Sequence, residues 1–202
     1  MNKNNFIQFL MSVSFLALTN CGPQAFVKGD YDSNVEKQNL LSDQWSETDM
    51  QQAVKDLVAS LAQHPSIQNA KTVPIVMLQG IQNKTSEHID TESVADMLRV
   101  ELMKMGKMSF VNKQGRAGVT EELDYQDQSG HFNENNKKKK GGQIAADYYI
   151  DGRLDSIVQE VGKDKTVYYK LTLQLTNFNT NLMVWTDHKQ IRKIYKKKTI
   201  GL

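Results

Sequence analysis

The stretch from Val167 to Thr176 constrains the fold more than any other part of the chain. Val167, Tyr169, Leu171, Leu173 and Leu175 alternate there with Tyr168, Lys170, Thr172, Gln174 and Thr176. Successive strand residues point to opposite faces, so this period of two requires a strand with one apolar and one polar face. Such a strand needs neighbours at its edges and a second layer over its apolar face. The sequence supplies neighbours on both sides. Tyr148 to Leu154 reads as a preceding strand, joined by a hairpin around Gly162 to Lys165. Asn179-Thr180-Asn181 reads as a turn leading to a last strand from Leu182 to Thr186, with Trp185 in it.

The covering layer is legible upstream. Met50, Ala53, Val54, Leu57, Val58 and Leu61 recur at helical spacing and form one apolar face. Ser46 is placed to cap this helix and Pro65 to limit it. The run Val73 to Leu78 suits a strand covered on both faces, with Gln79 to Ile89 as the loop that follows. Asp90 caps a second helix with Val94, Met97, Leu98, Leu102 and Met105 inward, and Gly106 stops it. Met108 to Val111 reads as a short strand, and residues 113–127 as a third helix around Val119 to Tyr125. Between 128 and 142, Ser129-Gly130 suggests a turn, and residues 135–140 fit either a loop or an exposed helical turn. The order predicts an α/β fold, a central mixed sheet flanked by helices (an α/β sandwich), in a single domain behind a tether.

The chain's 202 residues leave room for an appendage to one domain. Residues 1–20 have the pattern of an export signal. Lys3 lies in a short polar start, and the apolar stretch from Phe6 to Leu18 is too short to span a bilayer. The one cysteine, Cys21, follows directly. Leu18-Thr19-Asn20-Cys21 resembles the lipobox of bacterial lipoproteins, which implies a diacylglycerol on the Cys21 thiol and a further acyl chain on its amine. Gly22, where Asp would signal inner-membrane retention, points to the periplasmic face of the outer membrane. Residues 21–47 then form the lipidated Cys and a flexible polar tether, and residues 48–202 the domain with a basic C-terminal tail.

No catalytic chemistry is apparent. His64, His88, His131 and His188 lack metal-ligand spacing, and there is no G-x-S-x-G, P-loop or G-x-G-x-x-G. Hence no catalytic residue, metal or cofactor is nominated, and an acylated Cys21 is no nucleophile. A formal charge of +2 argues against nucleic-acid binding by bulk electrostatics. That small sum hides a separation, because Lys189, Arg192, Lys193, Lys196, Lys197 and Lys198 follow Asp187 with no acid among them, behind a net acidic body. They could contact anionic lipid, an anionic glycan-peptide polymer or an acidic protein patch, or form a solvated end. The run Lys137 to Lys140 carries the same alternatives. Tyr148, Tyr149, Tyr168 and Tyr169 could stack on a ligand or pack across strands.

Three stretches together resemble the LpoB-type activators of penicillin-binding proteins. They are Ser46-Glu47-Thr48-Asp49-Met50, residues 73–111 with Asn83-x-Thr85 and Ile89-Asp90, and residues 121–130 followed by 144–154 and 168–185. Physical roles suit the matched positions. Asn83 and Thr85 can bond their own loop, Asp90 can cap a helix, and Gly152 permits close strand approach. The resemblance implies a further helix over 134–146. It also implies a monomeric outer-membrane lipoprotein without catalysis of its own, which binds a class A bifunctional penicillin-binding protein at a docking module and stimulates it. The alternative is a structural or secretion-associated envelope lipoprotein related to the periplasmic domain of the curli-secretion channel.

Overall fold

The computed structural model describes residues 30–197, so Cys21 and Lys198 lie outside the described residues. Met1–Val35 and Glu36–Leu202 are separate units. The fold is that of the second.

Helix α1, Glu47–Gln63, begins in a reciprocal cap: Ser46 Oγ accepts the Asp49 N–H, and the Asp49 carboxylate accepts the Ser46 N–H. It buries Ala53, Val54, Leu57, Val58 and Leu61, the face that the spacing predicts. Pro65 occupies the first turn of a short helix α2, Pro65–Gln68, where its missing N–H costs nothing.

Strand β1 runs Ile75–Lys84, well past the loop start expected at Gln79. Local pattern hides this because β1 pairs in parallel with β3 as far as Lys84↔Asp155, and pairing holds even its polar residues in the sheet. A bulge between Leu78 and Gly80 absorbs one residue, with Gly80 at φ +128, a region that favours glycine. Helix α3, Thr91–Lys104, is capped by Asp90, which accepts the Glu92 N–H and the Ser93 hydroxyl, each at 3.0 Å. Val94, Leu98 and Leu102 are buried, and Met97 is partly so. Met105, expected inward, is exposed, because it sits at the C-cap just before Gly106 turns the chain at φ +66.

Strand β2 is Ser109–Phe110, and helix α4, Arg116–Gln128, buries none of its side chains. Residues 134–146 form turns and irregular chain, not the helix that the resemblance implies. Gly141 takes φ +87, and Lys140 folds back onto Asp124 and Asp127 of α4 at 2.8 and 3.0 Å.

The last three strands, β3 (Tyr148–Val161), β4 (Asp164–Asn177) and β5 (Met183–Lys196), are 14 residues each and pair antiparallel. The expected last strand ended at Thr186 with a basic tail after it. That tail is strand, ladder-paired to Lys196 opposite Asp164. The sheet order is β2-β1-β3-β4-β5, with β1 parallel to both neighbours. It is a mixed sheet with helices, an α/β fold.

Register assigns the faces. Ile150, Leu154, Val167, Tyr169, Leu171, Leu173, Leu175 and Trp185 share one side and pack with the apolar faces of α1 and α3. Gly152 lies on this side, where a Cβ would come within 2.5 Å of both Leu173 Cδ2 and Thr172 O. The other side carries Tyr149, Asp151, Arg153 and Asp155 of β3, their β4 partners Thr176, Gln174, Thr172 and Lys170, and His188, Gln190 and Arg192 of β5.

Candidate docking site

The strand period of two divides the basic C-terminal residues between the two faces of β5. Lys189, Ile191 and Lys193 face the helices; Arg192 and Lys196 face away and are exposed. Lys189 pairs with Asp56 of α1. Lys193 is buried, its Nζ 2.5 Å from Asp49 Oδ2 and 2.6 Å from Gln44 O, which it reaches as donor. Lys197 lies 3.6 Å from Glu160. The residues that read as one basic tail are therefore not one patch. Lys193 is internal, and Arg192 and Lys196 remain as surface charge on the uncovered face.

The Asn83-x-Thr85 motif does bond its own loop. Asn83 Oδ1 accepts the Thr85 N–H at 2.9 Å and the Thr85 hydroxyl at 2.8 Å, and Asn83 Nδ2 donates to Glu87 O at 2.8 Å. Thr85 Oγ1 in turn accepts the Glu87 N–H at 3.1 Å. The loop thereby fixes Glu87, whose carboxylate accepts the Trp45 N–H at 2.9 Å and the Tyr169 hydroxyl.

Glu87 is one end of a cluster that the sequence does not announce. The segment Asn39–Trp45, read there as tether, lies against the domain as a strap. The Trp45 ring meets Tyr169 edge-on at 5.3 Å, Tyr195 donates its hydroxyl to Ser42 O at 2.5 Å, and the Asn39 N–H reaches Thr48 Oγ1 at 3.0 Å. Lys165 pairs with Asp43 at 2.5 Å. That hydrogen bond holds the Asp43 carboxyl below its ordinary pKa, against a smaller opposing effect of burial. Burial first, and the Glu87 carboxylate second, push the Tyr169 phenol above its ordinary value. The ammonium of Lys193 stands 5.8 Å from the centre of the Tyr169 ring. The sequence carries no local signal for this cluster, because only the register of β5 on β4 places Lys193 opposite Val167, on the apolar face.

Such an arrangement holds chain segments in place. Among the described residues, no three His, Cys, Asp or Glu side chains are grouped to hold a metal ion. No core helix covers the face of β3, β4 and β5 that carries Asp151, Arg153 and Arg192.

The sequence profile of a family described as "Peptidoglycan-synthase activator LpoB" matches residues 49–191. No curated protein matches the chain in sequence. Among solved structures, the LpoB C-terminal domain from Salmonella enterica is 16% identical with a TM-score of 0.47, covering 71% of this chain and 98% of that one. The Escherichia coli LpoB C-terminal domain is 17% identical with a TM-score of 0.44 and the same coverage. The NMR structure of E. coli LpoB is 12% identical with a TM-score of 0.43, covering 89% of this chain and 86% of that one.

Proposed function

Since the chain belongs to the LpoB family of peptidoglycan-synthase activators, we propose that it is an outer-membrane lipoprotein, anchored at Cys21, that binds a class A bifunctional penicillin-binding protein and stimulates it. The observation that carries this reading is the family match from Asp49 to Ile191, which spans the domain from the first turn of α1 into β5.

In this reading no residue of the chain enters the chemistry. Glycan polymerisation and peptide cross-linking are performed by the synthase, whose resting and active states are in equilibrium. The activator shifts that equilibrium only by binding the active state more tightly; equal affinity for both would change nothing. A rigid docking face suits this role, and the strap and the buried cluster beneath it stiffen the β4–β5 half of the sheet.

The acyl anchor at Cys21 holds the domain on the periplasmic face of the outer membrane. Between that anchor and the strap Asn39–Trp45 lies the stretch of residues 22–38. It reaches at most ~60 Å at about 3.4 Å per residue, so the partner must project toward the outer membrane.

The test is a lipid II polymerisation assay with the full chain in detergent and class A synthases of the same organism. The reading expects a raised rate with at least one of them, saturable in the activator. Unchanged rates with all of them would sink it. Fractionation of Cys21→Ser, expected to leave the membranes, tests the anchor separately.

A further inference from the structure

Past Ser156, every remaining residue of β3 is exposed. Register sets three ladder rows on the uncovered face there. Tyr168 lies between Ile157 and Arg192, Thr166 between Gln159 and Ile194, and Asp164 between Val161 and Lys196. Ile157, Val161 and Ile194 are 57%, 81% and 68% exposed, so three large aliphatic side chains stand in water within one block. Grouped in this way, exposed apolar side chains mark a surface that meets something.

The charge around them is mainly positive. Arg192 and Lys196 are exposed on this face, and Lys163 stands in the hairpin turn. Asp164 is the one acid in the three rows. A second copy suits such a surface poorly, because pairing two β5 edges would bring Arg192 and Lys196 against their own kind.

The course of the chain says what lies nearby. The strap binds at this end of the sheet, with Asp43 on Lys165 and Ser42 O on Tyr195. Gln38 and Leu40 line one hollow with Ile194 and Tyr195. The chain that leads back toward Cys21 thus leaves the domain beside Ile194. A bilayer that holds Cys21 is an intramolecular partner for this end, and a weak attraction is then enough to keep it there.

We propose that this end of the sheet rests on an anionic phospholipid surface. Ile157, Val161 and Ile194 enter the headgroup layer, Tyr168 sits at its boundary, and Arg192 and Lys196 meet lipid phosphates. This rests on the acyl anchor for bringing a bilayer near, but not for the chemistry of the surface. Two cations and three shallow side chains bind reversibly, so the full chain with Cys21→Ser still washes off membranes in salt.

The test uses residues 21–202 carrying Cys21→Ser, which have neither the signal segment nor an acyl chain. They are sedimented with vesicles of phosphatidylethanolamine, with and without phosphatidylglycerol. Saturable binding is expected only with phosphatidylglycerol, weakening as salt rises. Arg192→Gln/Lys196→Gln should weaken it about thirtyfold. Val161→Ser/Ile194→Ser should weaken it about tenfold. All four positions are exposed, and unchanged urea midpoints check that the variants fold. No binding, equal binding to both vesicles, or either double variant binding like wild type would overturn the contact. So would vesicles left unbound while Arg192→Gln/Lys196→Gln abolishes stimulation of the synthase in detergent, which would make the surface a protein dock. Saturable vesicle binding by a chain that stimulates no class A synthase would support the contact and sink the activator reading alone.

Discussion

Lys193 Nζ lies 2.5 Å from Asp49 Oδ2 with both side chains 3% exposed, which ties the edge strand β5 to the first turn of α1. The pair also fastens the strap, since Lys193 donates to Gln44 O. Removing one member of a buried pair leaves an uncompensated charge, at a cost of about 3–5 kcal/mol. Lys193→Met should lose stability on that scale in urea titrations. The double variant Asp49→Leu/Lys193→Met should recover most of it, short by about 1 kcal/mol for the lost cap of Ser46. A double variant as weak as the single one would show that the ion pair is not the cause.

Two glycines should respond in opposite directions to the same substitution. A Cβ at Gly152 would stand 2.5 Å from the Thr172 carbonyl, and the backbone cannot yield cheaply, so Gly152→Ala should cost about 1–3 kcal/mol. Gly118 lies inside α4 with nothing within 4 Å of a Cβ, so Gly118→Ala should gain up to about 1 kcal/mol from helix propensity. Thermal unfolding of the two variants beside wild type decides both.

Stability should fall at both pH extremes for separate reasons. Asp43 is held below its ordinary pKa, chiefly by Lys165. Its contribution is present above the unfolded value of about 3.9 and is lost as pH falls through the lowered one. Tyr169 is held above its ordinary value by burial and Glu87, so its contribution is full below about pH 10 and is lost as pH rises beyond. Urea midpoints from acid to alkaline pH should show both limbs. Lys165→Met should flatten the acid limb and Tyr169→Phe the alkaline one, each without altering the other.

What the sequence disclosed follows from the range of its interactions. The α1 face, the Asp90 cap and the alternation of β4 depend on neighbours within a few residues, and each stands where its pattern puts it. Strand ends do not. The second half of β1 and the last ten residues of β5 are polar or mixed, and only pairing with β3 and β4 makes them strand. The strap failed for the same reason: Trp45, Asp43 and Ser42 find partners 42, 122 and 153 residues away in Glu87, Lys165 and Tyr195. Asn83 and Thr85 were legible as a loop staple but not as the support of Glu87, because Trp45 and Tyr169 meet Glu87 only in the folded domain.

The strap also sets how far the domain can stand from its proposed anchor. Trp45 holds it by its N–H on Glu87 and by its ring on Tyr169. Trp45→Ala removes the ring of a half-buried residue, at about 2 kcal/mol. It should let residues 39–45 exchange their amides quickly while the sheet stays protected. Release adds the strap's own length to the span between the domain and that anchor, about 25 Å when extended. A chain shortened by eight residues between Gly22 and Gln38 should then stimulate the synthase in detergent but lose its effect in cells, where the gap must be spanned. Adding Trp45→Ala to the shortened chain should restore it. Restoration in cells, measured as resistance to cell-wall stress, would show that the strap trades reach for rigidity. No restoration, with the amides of 39–45 shown to be freed, would show that the bound strap is itself part of the docking surface.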